Sequence, residues 1–249
     1  MSPWLRVLGD FALRDRHDTV AVGSGAERLL AYLAVRTGPV PRVDAAGALW
    51  GLSTAERASS NLRAVLSRLP RPGGRPLVAA TGRHLRLADD VTVDLASARA
   101  LIERVRAGDA ACVPATAETA LSGDLLPGWD EDWLVVEREH HRQARLHALD
   151  ALAATLCREG RYDEALRAAL ASVAGEPLRE SAHRRVIAVH LAEGNPAEAL
   201  RQYESYRRLV RDELGLTPTA EIRSLVAGLL GRPADRGGRG DDVPGVRPA

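Results

Sequence analysis

The chain has 249 residues, 45% of them hydrophobic, and a formal net charge of +1. That length and apolar fraction give room for two domains with a buried core. No apolar run approaches the ~18 residues a membrane span needs, and the opening MSPWLRVLGDF has neither the basic lead nor the apolar centre of a signal peptide, so no membrane partner and a cytoplasmic location are expected.

The first segment, WLRVLGDFALR, alternates around Leu5, Val7, Phe11 and Leu13, with Gly9-Asp10 between, and predicts a hairpin. A third strand is expected at Thr19 to Val22. Ser24 is placed to cap a helix whose Leu29, Leu30, Leu33 and Ala34 share one side and which ends at Gly38-Pro39. Val43 to Trp50 predicts a shorter helix, capped near Asp44 and broken by Gly51.

In the next helix Ala58, Leu62, Val65, Leu66 and Leu69 form an apolar stripe. The opposite side carries Arg57, Ser60, Ala64, Ser67 and Arg71, with Asn61, Arg63 and Arg68 on the flanks. Pro70 and Pro72 end it. Leu77 to Ala80 and His84 to Ala88 then predict a second hairpin, turning at Thr81-Gly82-Arg83.

All 34 basic residues are arginine, which a GC-rich genome alone would produce, so the regional balance is the fairer measure. Residues 1–90 hold 13 arginines against 8 acids, and residues 91–249 hold 21 against 25. Thr54 to Ala88 alone holds seven arginines and one glutamate. The excess positive charge therefore sits in one segment, which points to a polyanion partner.

Hairpin, helix, short helix, basic helix, hairpin is the order of a helix-turn-helix followed by a wing. A helix lying in the major groove needs small and basic side chains on its exposed face, so that its backbone comes close and its donors reach base edges and phosphates. The candidate double-stranded DNA contacts are Arg57, Ser60, Asn61, Arg63, Ser67 and Arg68 on the helix, with Arg83, His84 and Arg86 on the wing. For any single arginine a solvated helix face is the better account; it is the coincidence of charge, small residues and wing that favours DNA.

After Ala88 the composition turns helical and alanine-leucine rich. Val91 to Leu95 reads as a connector, and Asp94 as the cap of LASARALIERVRAG. Pro114 to Leu121 predicts a second helix, GDLLPGWDEDW a packed turn, and Glu131 to Glu159 one long helix. Asp130-Glu131-Asp132 suits its start, where acids meet the positive end of the helix dipole. Glu159-Gly160 recurs as Glu193-Gly194, and EALR at Glu164 recurs at Glu198, both 34 residues on. That is the tetratricopeptide period. Such units stack helix pairs, serving either as a partner-binding groove or as a scaffold. GRPADRGGRGDDVPGVRPA, from Gly231, reads as a disordered tail.

No catalytic constellation is visible. There is no phosphate-binding loop, dinucleotide fingerprint or GxSxG elbow. His140, His141 and His147 lack ligand spacing and read as surface residues. Cys112 and Cys157 read as small buried hydrophobes of a reducing compartment. No enzyme activity, cofactor or metal is expected.

These stretches resemble the bacterial transcriptional activator domain family, that of the Streptomyces antibiotic regulatory proteins. The resemblance runs from about Leu5 to Leu230. It rests on WLRVLGDFALR, ALWG, NLRAVLSRL, LLPGWDEDWLVVERE, GRYDEALRAALASVAGEPLRESAHR and AEGNPAEALRQYESYRRLVRDELGL. It implies an OmpR-type winged helix at 1–90 and an all-helical tetratricopeptide-like domain at 91–230, before the tail at 231–249. It further implies a regulator that binds direct repeats near promoters, two subunits side by side, and recruits RNA polymerase, often at a secondary-metabolite gene cluster. By position, Arg57 to Arg68 would be the recognition helix, Gly82 to Arg86 the wing, and Gly51 to Thr54 a loop able to touch polymerase. An alternative stays open: an interaction adaptor whose winged helix does not read DNA, favoured by Pro70 and the near-neutral total charge.

Overall fold

The computed structural model describes residues 2–16, 18–108 and 117–230. The expected tail, the start of the expected helix at Pro114, and Cys112 lie outside the described residues. Within them the chain is an α+β winged helix-turn-helix followed by an all-helical repeat region.

Strands β1 (Trp4–Arg6) and β2 (Ala12–Asp15) form the expected hairpin, with Leu5 opposite Leu13 and both buried. Gly9 reverses the chain at φ 84°, a region open to glycine because it lacks a Cβ. β3 (Asp18–Thr19) stops short of the expected strand. The Val20 amide still donates to the Leu13 carbonyl at 2.8 Å, after which the chain leaves the sheet for α1 (Ser24–Val35). Ser24 does not cap that helix. Gly23 holds the cap position, and its carbonyl accepts from the amides of Ala26 and Glu27, so no side chain is used.

α2 (Arg42–Leu49) begins one residue before the expected helix, with Pro41 at the cap. Asp44 lies in its first turn and makes no capping bond. α3 (Ala55–Arg68) carries the predicted stripe, with Ala58 and Leu62 buried and Val65, Leu66 and Leu69 packed against the same core. β5 (Val78–Ala80) and β6 (His84–Leu87) form the wing, joined by an unforeseen two-residue strand, β4 (Val40–Pro41), in the order β4-β6-β5.

The expected connector at Val91 to Leu95 holds a further strand. β7 (Thr92–Val93) runs parallel beside β1, giving a first sheet ordered β3-β2-β1-β7. Two residues are too few to leave a period-2 signature, and a parallel pairing across almost ninety residues has no local turn to announce it.

α4 (Asp94–Arg106) and the short α5 (Ala117–Ala120) precede α6 (Asp132–Arg158), which is the expected long helix less one residue at each end. α7 (Tyr162–Gly175), α8 (Glu180–Glu193), α9 (Pro196–Leu214) and α10 (Ala220–Leu230) complete the chain's described part. The 34-residue repeat becomes two helix pairs. Gly160 and Gly194 sit at their turns with φ of 75° and 85°, and the equivalent Ala165 and Ala199 are fully buried where the helices approach.

Asp94 does more than start α4. Its carboxylate accepts from the amides of Val7 at 2.9 Å, Leu8 at 2.9 Å and Leu95 at 2.8 Å, tying α4 to the strand end of β1. Burial pushes its carboxyl upward, and the three amides pull it back. The GDLLPGW turn joins the same edge: the Leu126 amide donates to Val7 O at 2.9 Å and the Gly9 amide to Asp124 O at 2.7 Å. Leu125, Leu126 and Leu134 consequently belong to the core of the winged helix. Leu126 adopts φ 44°, a strained value for a side chain of this size. Arg138 secures the turn by donating to the carbonyls of Leu125, Leu126 and Trp129.

Two expectations about single side chains need correction. His141 is buried, not on the surface, and its Nε2 donates to the Gly123 carbonyl at 3.2 Å beneath that same turn. His140 and His147 are exposed. Cys157 is half-buried.

Candidate nucleic-acid interface

The face of α3 turned away from the core is built by helical spacing alone. Burying Ala58 and Leu62 leaves Arg57, Ser60, Arg63, Ser67 and Arg68 exposed and Asn61 half-buried on the flank. Thr54 caps the helix, its hydroxyl accepting from the Arg57 amide at 3.4 Å. Ser67 donates to the Ala64 carbonyl at 2.9 Å, which leaves its oxygen free to accept. Leu69 takes an extended conformation and ends the helix before Pro70.

At its start α1 approaches α3 at Gly25, where a Cβ would lie 3.0 Å from Val65 Cγ2. The absence of a side chain there is what lets the basic helix sit close to its support.

The wing tip is held by two features that the sequence did not signal. The Thr81 hydroxyl accepts from the His84 amide at 3.0 Å, closing the turn. Arg42, at the start of α2, donates its amide to Arg83 O at 2.8 Å and its guanidinium to Thr81 O at 3.2 Å. Arg42 therefore anchors the hairpin to the helix-turn-helix. Arg83 and His84 stand exposed at the tip.

Pairing separates the arginines of this region. Arg75 meets Asp90 at 3.3 Å, and Arg86 forks onto Asp89 through both terminal nitrogens. That pair raises the guanidinium's hold on its proton and holds the carboxyl below the usual carboxylate range, chiefly through the side-chain hydrogen bond. Among the described residues the guanidinium groups of Arg57, Arg63, Arg68, Arg71 and Arg83 meet no acid and no hydrogen-bond acceptor. Of the nine candidates, then, eight lie on α3 or at the wing tip, and Arg86 sits at the far end of β6 with its charge matched.

Among the described residues no cluster of His, Cys, Asp and Glu could hold a metal ion, and no helix is long and apolar enough to cross a membrane.

Residues 90–230 match the family model described as the bacterial transcriptional activator domain. The regulatory protein AfsR of Streptomyces coelicolor is 32% identical over 240 residues, 90% of this chain and 24% of its own length. The regulatory protein AfsR of Streptomyces griseus is 29% identical over 252 residues, 92% of this chain and 25% of its own. The chain thus spans about a quarter of the length of these curated relatives. A solved structure of Mycobacterium tuberculosis EmbR, in complex with a low affinity phosphopeptide, aligns with a TM-score of 0.66 at 24% identity, covering 92% of this chain and 65% of that one. At that identity the likeness shows the fold.

Proposed function

The chain belongs to the bacterial transcriptional activator domain family, and from that premise we propose that it is a sequence-specific DNA-binding activator of transcription. The family is one of regulators and not an enzyme class. In the proposed arrangement α3 enters the major groove. Arg57, Asn61, Arg63 and Arg68 contact bases and phosphates, Ser60 and Ser67 assist, and Arg83 and His84 hold the sugar-phosphate backbone from the wing. Arg86 contributes least, because Asp89 already matches its charge.

The observation that carries this reading is the set of acid-free arginines, Arg57, Arg63 and Arg68 on α3, Arg71 just beyond it and Arg83 at the wing tip, in a chain of nearly zero net charge. Exposed cations without acidic neighbours are what a polyanion displaces counterions to meet. Two subunits on a direct repeat, and recruitment of RNA polymerase through the Gly51 to Thr54 turn and the helical repeats, complete the proposal. Leu52 at that turn is fully exposed. The turn borders a cleft of about 920 Å³ whose other wall is Asp130 to Trp133 at the start of α6, so the surface offered there draws on both halves of the chain.

Selection of genomic fragments by the purified chain at two salt concentrations, followed by sequencing, tests the reading. An enriched direct repeat with steeply salt-dependent affinity is expected. Weak, sequence-blind binding would leave the interaction adaptor as the better account.

A further inference from the structure

A second cleft, of about 550 Å³, lies between the end of α1, the β6–β7 connection and the exposed side of α4. Leu33, Leu87 and Val91 give it an apolar wall, and Arg36, Arg86 and Arg99 line it as well. These three guanidinium groups meet only two carboxylates. Arg36 and Arg99 share Glu137, at 2.9 and 3.6 Å. Arg86 has Asp89, whose side chain is 85% exposed. One positive charge is left over among the three. Asp89 itself lines the cleft and matches Arg86, so the unmatched charge rests on Arg36 and Arg99.

We infer that this cleft binds a small organic anion, an apolar body bearing one carboxylate or phosphate group. The volume falls within the roughly 300–1,000 Å³ of ligand sites, and an apolar wall with a few convergent donors is their usual make-up. Arginine suits the head group because its planar fork meets two oxygens at once. A ligand seated here touches α1 of the winged helix and α4 of the helical half together, so its binding favours the docked arrangement of the two.

Isothermal titration of the full chain tests the site, with phenyl phosphate and benzoate as probes. Benzyl alcohol, which lacks the charge, and inorganic phosphate, which lacks the apolar body, serve as controls. Saturable one-to-one binding of at least one aromatic anion is expected, ~10-fold tighter than either control, the size of one charged hydrogen bond. The two probes tell which head group is preferred. Ala96→Phe, which fills the mouth from an exposed position, should weaken binding ~10-fold, with an unchanged melting temperature showing that the variant folds. The double variant Arg63→Ala Arg68→Ala should bind the probe as the parent does, because its changes lie on α3. The proposal is overturned by any of three results: no binding of either anion, equal binding of inorganic phosphate, or binding that Ala96→Phe leaves intact.

Discussion

Arg28 on α1 and Glu131 at the cap of α6 stand 103 residues apart in sequence and meet in a two-pronged pair, Nε to Oε1 at 2.5 Å and Nη2 to Oε2 at 2.8 Å. Glu131 also accepts from Trp133 Nε1 at 2.9 Å. Trp133 in turn sets its ring edge-on to Tyr32, with centroids 5.2 Å apart. Two turns on, Arg36 pairs with Glu137. The first turns of α6 are thereby clamped to α1, and α1 touches α3 through Gly25. The basic helix and the helical repeats are fixed to one another by way of α1.

Removing Glu131 should loosen that clamp. Glu131→Ala leaves a half-buried guanidinium and an indole N–H without their acceptor, and the expected loss of stability is about 1–3 kcal/mol. Glu131→Gln keeps one acceptor and should lose less. Urea denaturation of the full chain measures both. A midpoint for Glu131→Ala equal to the parent's would mean that the fork contributes nothing to the docking.

The arginines of the proposed interface should separate by pairing. Arg63→Ala and Arg68→Ala should each weaken DNA binding across all sequences, or relax it at one base position if the contact is to a base. A phosphate contact also lowers the salt slope by about 1. Arg86→Ala should change the slope by less, because Asp89 already neutralises that side chain. Affinities at several salt concentrations decide it. Equal slopes for all three variants would remove pairing as the criterion for choosing contacts.

What the sequence made legible was whatever repeats locally. The stripe of α3 follows from Ala58, Leu62 and Val65, the paired helices from the 34-residue recurrence at Gly160 and Gly194, and the wing from the turn residues at Thr81 to Arg83. What stayed hidden depends on partners distant in the chain. β7 exists because β1 lies beside it. Asp94 looks like an ordinary helix cap, yet it serves Val7 and Leu8. His141 and Arg145 sit on an alanine-rich helix whose pattern gives polar residues no address. They are buried because the GDLLPGW turn folds over them, Arg145 donating to Ser122 O at 2.7 Å and pairing with Asp124 at 2.5 Å. At the proposed interface the helix face could be read directly, but the division into paired and unpaired arginines could not, since it turns on where Asp89 and Asp90 fall.

Acid should destabilise the helical half before the carboxylates titrate. Burial pushes the imidazoles of His141 and His183 below their ordinary value. Each Nε2–H donates to a carbonyl, of Gly123 and Pro177 respectively, and His183 Nδ1 accepts from the Gln202 amide at 2.8 Å. Both rings are thus held neutral. In the unfolded chain they take up protons near pH ~6.5, so the stability they contribute is complete above that pH and is lost as the pH falls toward their folded values. The urea midpoint should stay level from pH 8 to 7 and drop by pH 5.5. His183→Gln, which can keep the bond to Pro177, should shrink the drop. A midpoint independent of pH over this range would show that neither ring is held neutral.

The strongest stability effect is expected at Asp150, where three helices meet. Its Oδ1 accepts from Ser172 of α7 at 2.7 Å. Its Oδ2 accepts from Ser181 of α8 at 2.7 Å and from Arg179 Nε at 3.3 Å. Asp150 itself is buried on α6, and Ser172 is fully buried. Asp150→Ala therefore strands a buried hydroxyl and a mostly buried guanidinium together. Removing one partner of such a network costs about 3–5 kcal/mol when the remaining charge cannot reach water, and somewhat less here because Arg179 keeps partial exposure. Asp150→Asn retains the shape and one acceptor, and the serine hydroxyls can rotate to donate or accept, so its loss should be about half as large or less. Denaturant unfolding of both variants gives the comparison. Equal losses would place the weight of the site on the charge and the Arg179 pair, whereas a near-neutral Asp150→Ala would mean that the three helices are held by their apolar contacts alone.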